Sequence, residues 1–117
     1  MTGVRKGFVE FENQEYAIRA WLILMRTYRR RYGCKTIRQI VTRFAPPNEN
    51  NTEQYIDYCC EQLRMTADME LEFEIFYVAL ASAMARMETA VRLRMNDVEK
   101  VTKKYNIHIC KNGTGKD

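Results

Sequence analysis

RFAPPNENNT, residues 43–52, decides how this chain folds. Two adjacent prolines cannot continue a helix, because each lacks the backbone N–H and its ring clashes with the preceding turn. Pro46 also drives Ala45 away from helical geometry. The amides after them favour a turn and supply caps for a new helix, with Asn50 three residues before Glu53 in a capping-box-like pattern and Thr52 as the other candidate cap. The stretch therefore reads as a joint between two helices.

Upstream, Thr36 is placed to cap a helix whose Ile37, Ile40, Val41 and Phe44 recur at helical spacing until the prolines stop it. Before that, from Asn13 as N-cap, Ile18, Trp21, Met25, Tyr28 and Tyr32 share one face of a longer helix that Gly33 closes. Its distal arginines, Arg26, Arg29, Arg30 and Arg31, lie where the macrodipole favours cations, and read as its solvated side. Residues 7–12, GFVEFE, alternate apolar and acidic side chains and read as a short extended lead-in.

Downstream of the joint, Ile56, Cys59, Cys60 and Leu63 predict the buried stripe of a third helix, with Glu53, Asp57, Glu61 and Arg64 facing solvent. The segment DMELEFEIF alternates like a strand from Asp68 to Phe76, but the residues beyond it are helical in pattern. Phe76, Ala79, Leu80, Ala83 and Met87 form a stripe, so one long helix is expected over about 70–94, with acids at its start and Arg86, Arg92 and Arg94 towards its end. A short last helix is expected after it, capped by Asn96 and carrying Val98, Val101 and Tyr105. Met65, Met69, Met84, Met87 and Met95 read as core filler. The fold expected is mainly α: one domain over residues 1–110, a bundle of about five helices after the extended segment, with 111–117 as a loose tail.

Composition agrees with one soluble domain. The 117 residues are 46% hydrophobic and 29% charged, and no apolar run approaches the ~18 residues of a membrane helix. No secretory signal opens the chain, so export by a signal of its own is not expected. Nineteen Lys and Arg against fifteen Asp and Glu give a net charge of +4, too modest to select a partner. The four cysteines, Cys34, Cys59, Cys60 and Cys110, are read as reduced thiols, and one histidine, His108, two residues from Cys110 lacks the paired spacings of a zinc site. No metal and no cofactor are expected.

For chemistry, Glu10, Glu12, Glu15, Glu49 and Glu88 are candidate acids for glycoside hydrolysis, which in its common form needs two flanking carboxylates, and nothing in the sequence marks a converging pair among them, although Glu49 lies on the joint. No nucleophile elbow or phosphate-cradling glycine loop is present. RTYRRRYGCK, residues 26–35, mixes basic and aromatic residues as nucleic-acid surfaces do, although helix-end cations explain the same pattern.

Taken together, GFVEFENQEYAIRAW, YGCKTIRQIVTRFAPPNENNTEQYI and VALASAMARMET resemble successive segments of a phage and prophage virion structural-protein family. Its members read FVxF, then TIxxxIxRWAPPxENxTxxYI, then ALAxAIxxxEN, and the middle block matches from Thr36 to Ile56 almost without a gap. The resemblance implies a lysozyme-like helical architecture and a cell-wall role, and carries Arg43, Glu49, Asn50 and Thr52 over as binding residues, with Glu49 and Glu88 as the catalytic candidates. Departures bear on activity. The NNPGNIR-type lead and tryptophan-glycine stretch of the family do not precede FVEF here, Phe44 replaces a tryptophan, and Thr89 stands where the family has Asn. The expectation is thus a virion-associated structural or binding protein, whose partners are other virion proteins or peptidoglycan, without turnover of its own. With no signal peptide, such a protein is expected in the bacterial cytoplasm when expressed, or in a phage particle. A peptidoglycan hydrolase and a small nucleic-acid-binding domain using Arg26 to Arg31 are the alternatives.

Overall fold

The computed structural model describes residues 11–89 and 92–110. Five helices follow one another: α1 (Phe11–Tyr32), α2 (Ile37–Phe44), α3 (Thr52–Leu63), α4 (Glu74–Glu88) and α5 (Met95–Tyr105). Among the described residues there is no strand, only an isolated antiparallel bridge between Thr36 and Glu70. The mainly α, five-helix reading of the sequence is the fold the chain adopts. No described helix is long and apolar enough to cross a membrane.

The helix α4 is the centre of the packing. Tyr77, Val78, Leu80, Ala81, Ala83, Met84 and Ala85 are all buried on it, which is the pattern of a helix enclosed on most sides. It packs against α1 and α3, while α1 also packs against α5 and α2 against α3. The joint at Pro46 and Pro47 folds α3 back against α2, and Trp21, Phe44 and Tyr55 form a chain of tilted and edge-on rings linking α1, α2 and α3, with centroids 5.7 and 6.4 Å apart.

Several local expectations are revised. Of the GFVEFE segment, residues 7–10 lie outside the described residues and Phe11 and Glu12 are helical, so Asn13 sits inside α1 rather than capping it. The buried stripe of α1 runs Ile18, Leu22, Met25 and Arg29, while Trp21 and Tyr28 are half-buried and Tyr32 is exposed. Arg29 is therefore core, not solvated flank: only 2% of its surface is accessible, and its Nη1 donates to the Tyr77 hydroxyl at 2.9 Å. Arg30 is also engaged, donating to the carbonyls of His108 and Ile109. On α3, Thr52, Tyr55, Ile56 and Cys59 are buried, and Cys60 and Leu63 only partly so.

The long helix expected over 70–94 is the largest correction. It spans only Glu74–Glu88, since the chain turns at residues 67–69 and residues 70–73 then run outside the helix against the start of α2: Glu70 bridges to Thr36, the Leu71 N–H donates to the Lys35 carbonyl at 2.8 Å and the Leu71 side chain is fully buried. Arg38 reinforces this, pairing with Asp68 at 2.9 Å and Glu53 at 3.4 Å on the exposed surface, contacts that add little individually. Thr89 is extended and ends α4. Asn96 lies within α5, whose N-cap is Arg94. Of the five methionines read as core, Met84 is buried and Met65 half-buried, but Met69, Met87 and Met95 are exposed. Residues 111–117, the expected tail, lie outside the described residues.

α1 and α5 are joined by Glu15, whose Oε2 accepts from Lys104 Nζ at 2.8 Å and from the Tyr105 hydroxyl at 2.6 Å. Those two donors, Lys104 first, hold the Glu15 carboxyl below its ordinary pKa. A carboxyl whose folded pKa is lowered binds fewer protons than in the unfolded chain, so its contribution is complete above the ordinary carboxylate range and fades as pH falls through the folded value. Denaturation midpoints measured against pH should therefore drop on acidification less steeply for Glu15→Gln than for the parent; identical slopes would remove this role.

Candidate functional site

The joint is internally satisfied. Pro46 starts a turn that the Glu49 N–H closes by donating to its carbonyl at 3.1 Å, and Asn50 Nδ2 donates to the same carbonyl at 3.0 Å. Asn51, rather than Asn50 or Thr52, is the N-cap of α3, its side chain accepting from the Gln54 N–H at 3.2 Å. The buried Thr52 hydroxyl donates to the Ala45 carbonyl, tying the start of α3 to the end of α2.

The residues singled out by the sequence resemblance divide by what they touch. Thr52 and Asn50 hold the joint, and Arg43 lies over the Tyr32 ring, 3.7 Å from its centroid. Glu49 is exposed on the turn. Glu88, the last residue of α4, lies beside α3 at Tyr55. The Tyr55 hydroxyl is buried close to the Glu88 carboxylate; burial first, and then that carboxylate, push its pKa far above the ordinary tyrosine value.

Tyr55 opens onto a surface groove of about 480 Å³ between α3 and the end of α4. Asn51, Gln54, Tyr58 and Glu61 line it from α3, at spacings of three and four that put them on one helical face, and the exposed Met87 lines it from α4. Asp57 completes the wall. The groove offers tyrosine ring edges, amides able to donate and accept, and carboxylates, a combination suited to hydroxyl-rich ligands with apolar C–H faces. Glu49, Asn50 and Arg43 are not among its lining residues. Of the lining residues, only Asp57 and Glu61 are recognisable as surface positions from the sequence. The stripe Asn51, Gln54, Tyr55, Tyr58 is the signal that could have found the rest, but Tyr55 and Tyr58 flank the buried Ile56 and Cys59 and are hidden by that apolar pattern.

Thiol and metal chemistry find no site of comparable definition. Burial pushes the Cys59 thiol up to about 12, with Cys60 adding to the shift, so it is not a thiolate at neutral pH. His108 Nδ1 faces Glu74 at 3.9 Å, and no group of three or more His, Cys, Asp or Glu able to hold a metal occurs among the described residues. Arg29 and Arg30 being engaged, the basic run 26–31 leaves Arg31 exposed and Arg26 half-buried.

No family model matches the chain, and no solved structure matches it. Protein P5 of Pseudoalteromonas phage PM2 is 38% identical over 81 residues, covering 69% of this chain and 50% of that protein. The chain spans about half the length of the curated relative it matches, and its similarity is to a phage protein.

Proposed function

We propose that this chain is a phage-derived, virion-associated protein that binds the glycan of peptidoglycan in the groove between α3 and α4, and holds it rather than cleaving it. The observation that carries this reading is the groove itself, where Tyr55, Tyr58, Gln54 and Asn51 lie on one face of the helix that the joint launches. Sugar rings present apolar faces that pack on aromatic side chains and hydroxyls that pair with amides. The similarity to a phage protein supplies the setting in which other virion proteins or cell-wall glycan would be the partners.

A second reading, hydrolysis with Glu88 as acid, is favoured by its place beside the buried Tyr55 hydroxyl. One experiment separates the two. Muropeptides titrated against the parent chain should bind, purified cell walls should not clear, and Tyr58→Ala should weaken binding at least tenfold, about 1.4 kcal/mol. Clearing by the parent that disappears in Glu88→Gln but persists in Glu49→Gln would establish the hydrolase instead. Absence of both muropeptide binding and association with particle components would end the proposal.

A further inference from the structure

A second concavity, sharing no lining residue with the groove, also lies near the end of α4, and its chemistry is unlike that of the groove. Arg86 from the last turn of α4 and Arg92 and Arg94 from the connector to α5 surround a cavity of about 190 Å³, with the Ser82 hydroxyl and Leu93 completing the wall. None of its lining residues is acidic. None of the three guanidiniums forms an ion pair among the described residues, although acidic partners engage Arg38 and Lys104 elsewhere on the surface.

The backbone beneath these arginines is anchored. Gln14 Nε2 donates to the Arg92 carbonyl at 3.3 Å, fastening the connector to α1, the Leu93 side chain is buried, and the Arg94 carbonyl accepts from the Val98 N–H at 2.9 Å as α5 begins. Arg94 is the N-cap of α5 and makes no side-chain cap. Like charges gathered around one cavity repel, and an anion placed among them relieves the repulsion. Guanidinium groups present paired N–H donors that match the oxygens of a phosphate group, and a serine hydroxyl donates one more.

We infer that the Arg86, Arg92, Arg94 and Ser82 cavity is a binding site for a phosphate group. Its source is either a free phosphate or the headgroup of an anionic lipid. The site does not depend on the glycan reading, since it shares no residue with the groove.

Amide resonances of the full chain, titrated with inorganic phosphate and pyrophosphate and separately with phosphatidylglycerol vesicles, test this. Ser82, Arg86, Arg92, Leu93 and Arg94 should shift together, saturably, with pyrophosphate or vesicles, and a double variant Arg86→Gln/Arg94→Gln should bind at least tenfold more weakly. Arg31→Gln removes an exposed charge outside the cavity and should bind as the parent does. Response to soluble phosphates identifies a free anion as the ligand, and response to vesicles alone identifies a headgroup. Equal shifts with chloride at matched ionic strength, equal weakening by Arg31→Gln, or no response to any of the three ligands would overturn the assignment.

Discussion

Arg29→Ala is expected to lower the unfolding free energy by about 3 kcal/mol and the melting temperature by roughly 10 °C. The arginine is the largest polar side chain in the core, and its guanidinium stands both as donor to the Tyr77 hydroxyl and 5.4 Å from that ring's centroid. The Tyr77 hydroxyl in turn donates to the Cys34 carbonyl at 3.3 Å, so this cluster joins α1, α4 and the turn leading to α2. Burial pushes the Tyr77 hydroxyl up in pKa while Arg29 pulls it down, as expected of a hydroxyl enclosed beside a cation. Alanine removes the apolar stem as well as the charge. Arg29→Met restores most of the volume without a charge to desolvate and should lose less than half as much. Tyr77→Phe should cost about 1–2 kcal/mol, and the Arg29→Ala/Tyr77→Phe double variant less than the sum of the two. Denaturant midpoints at constant slope measure all four. Alanine and methionine variants both within about 1 kcal/mol of the parent would show that the cluster is incidental.

Leu71→Ala should cost about 3 kcal/mol, within the range of 2–5 typical for truncating a buried leucine. Leu71 is the only fully buried side chain between α3 and α4, and it seats residues 70–73 against the start of α2. The loss should also be visible locally, with amide exchange at Leu71, bonded to the Lys35 carbonyl, accelerating more than exchange in the middle of α4. A loss below about 1 kcal/mol, with exchange at Leu71 unchanged, would contradict the anchoring role.

These two residues also mark where sequence legibility ends. Local signals are reliable where the physics is local: Thr36 caps α2 by accepting from the Gln39 N–H, Gly33 comes after α1 with a φ of +66°, and the two prolines end α2. Asn50 and Asn51 are adjacent amides, and periodicity alone does not choose between them; the pairing of Asn50 with Pro46 does. Arg29 reads wrongly as solvated because a helix-end arginine has a sufficient local explanation, whereas its partner Tyr77 lies 48 residues away. Of the alternating DMELEF only its later residues run against the start of α2, from the bridge at Glu70, and their backbone partner at Lys35 is also remote in sequence, so the helical pattern of the next residues outweighs the alternation. At the candidate site, Glu88 is legible from the sequence, but the surface beside it is not, because only the fold brings Tyr55 to the end of α4.

The contact between α1 and α5, fastened at Glu15 and Lys104, fixes an order of events during synthesis. The first described helix packs against both α4 and α5, and its flank at Glu15 has no surface to meet until nearly ninety residues later. Chains still being made should therefore expose that flank of α1 to chaperones, and the emergence of α5, rather than of α4, should be the moment at which it is covered.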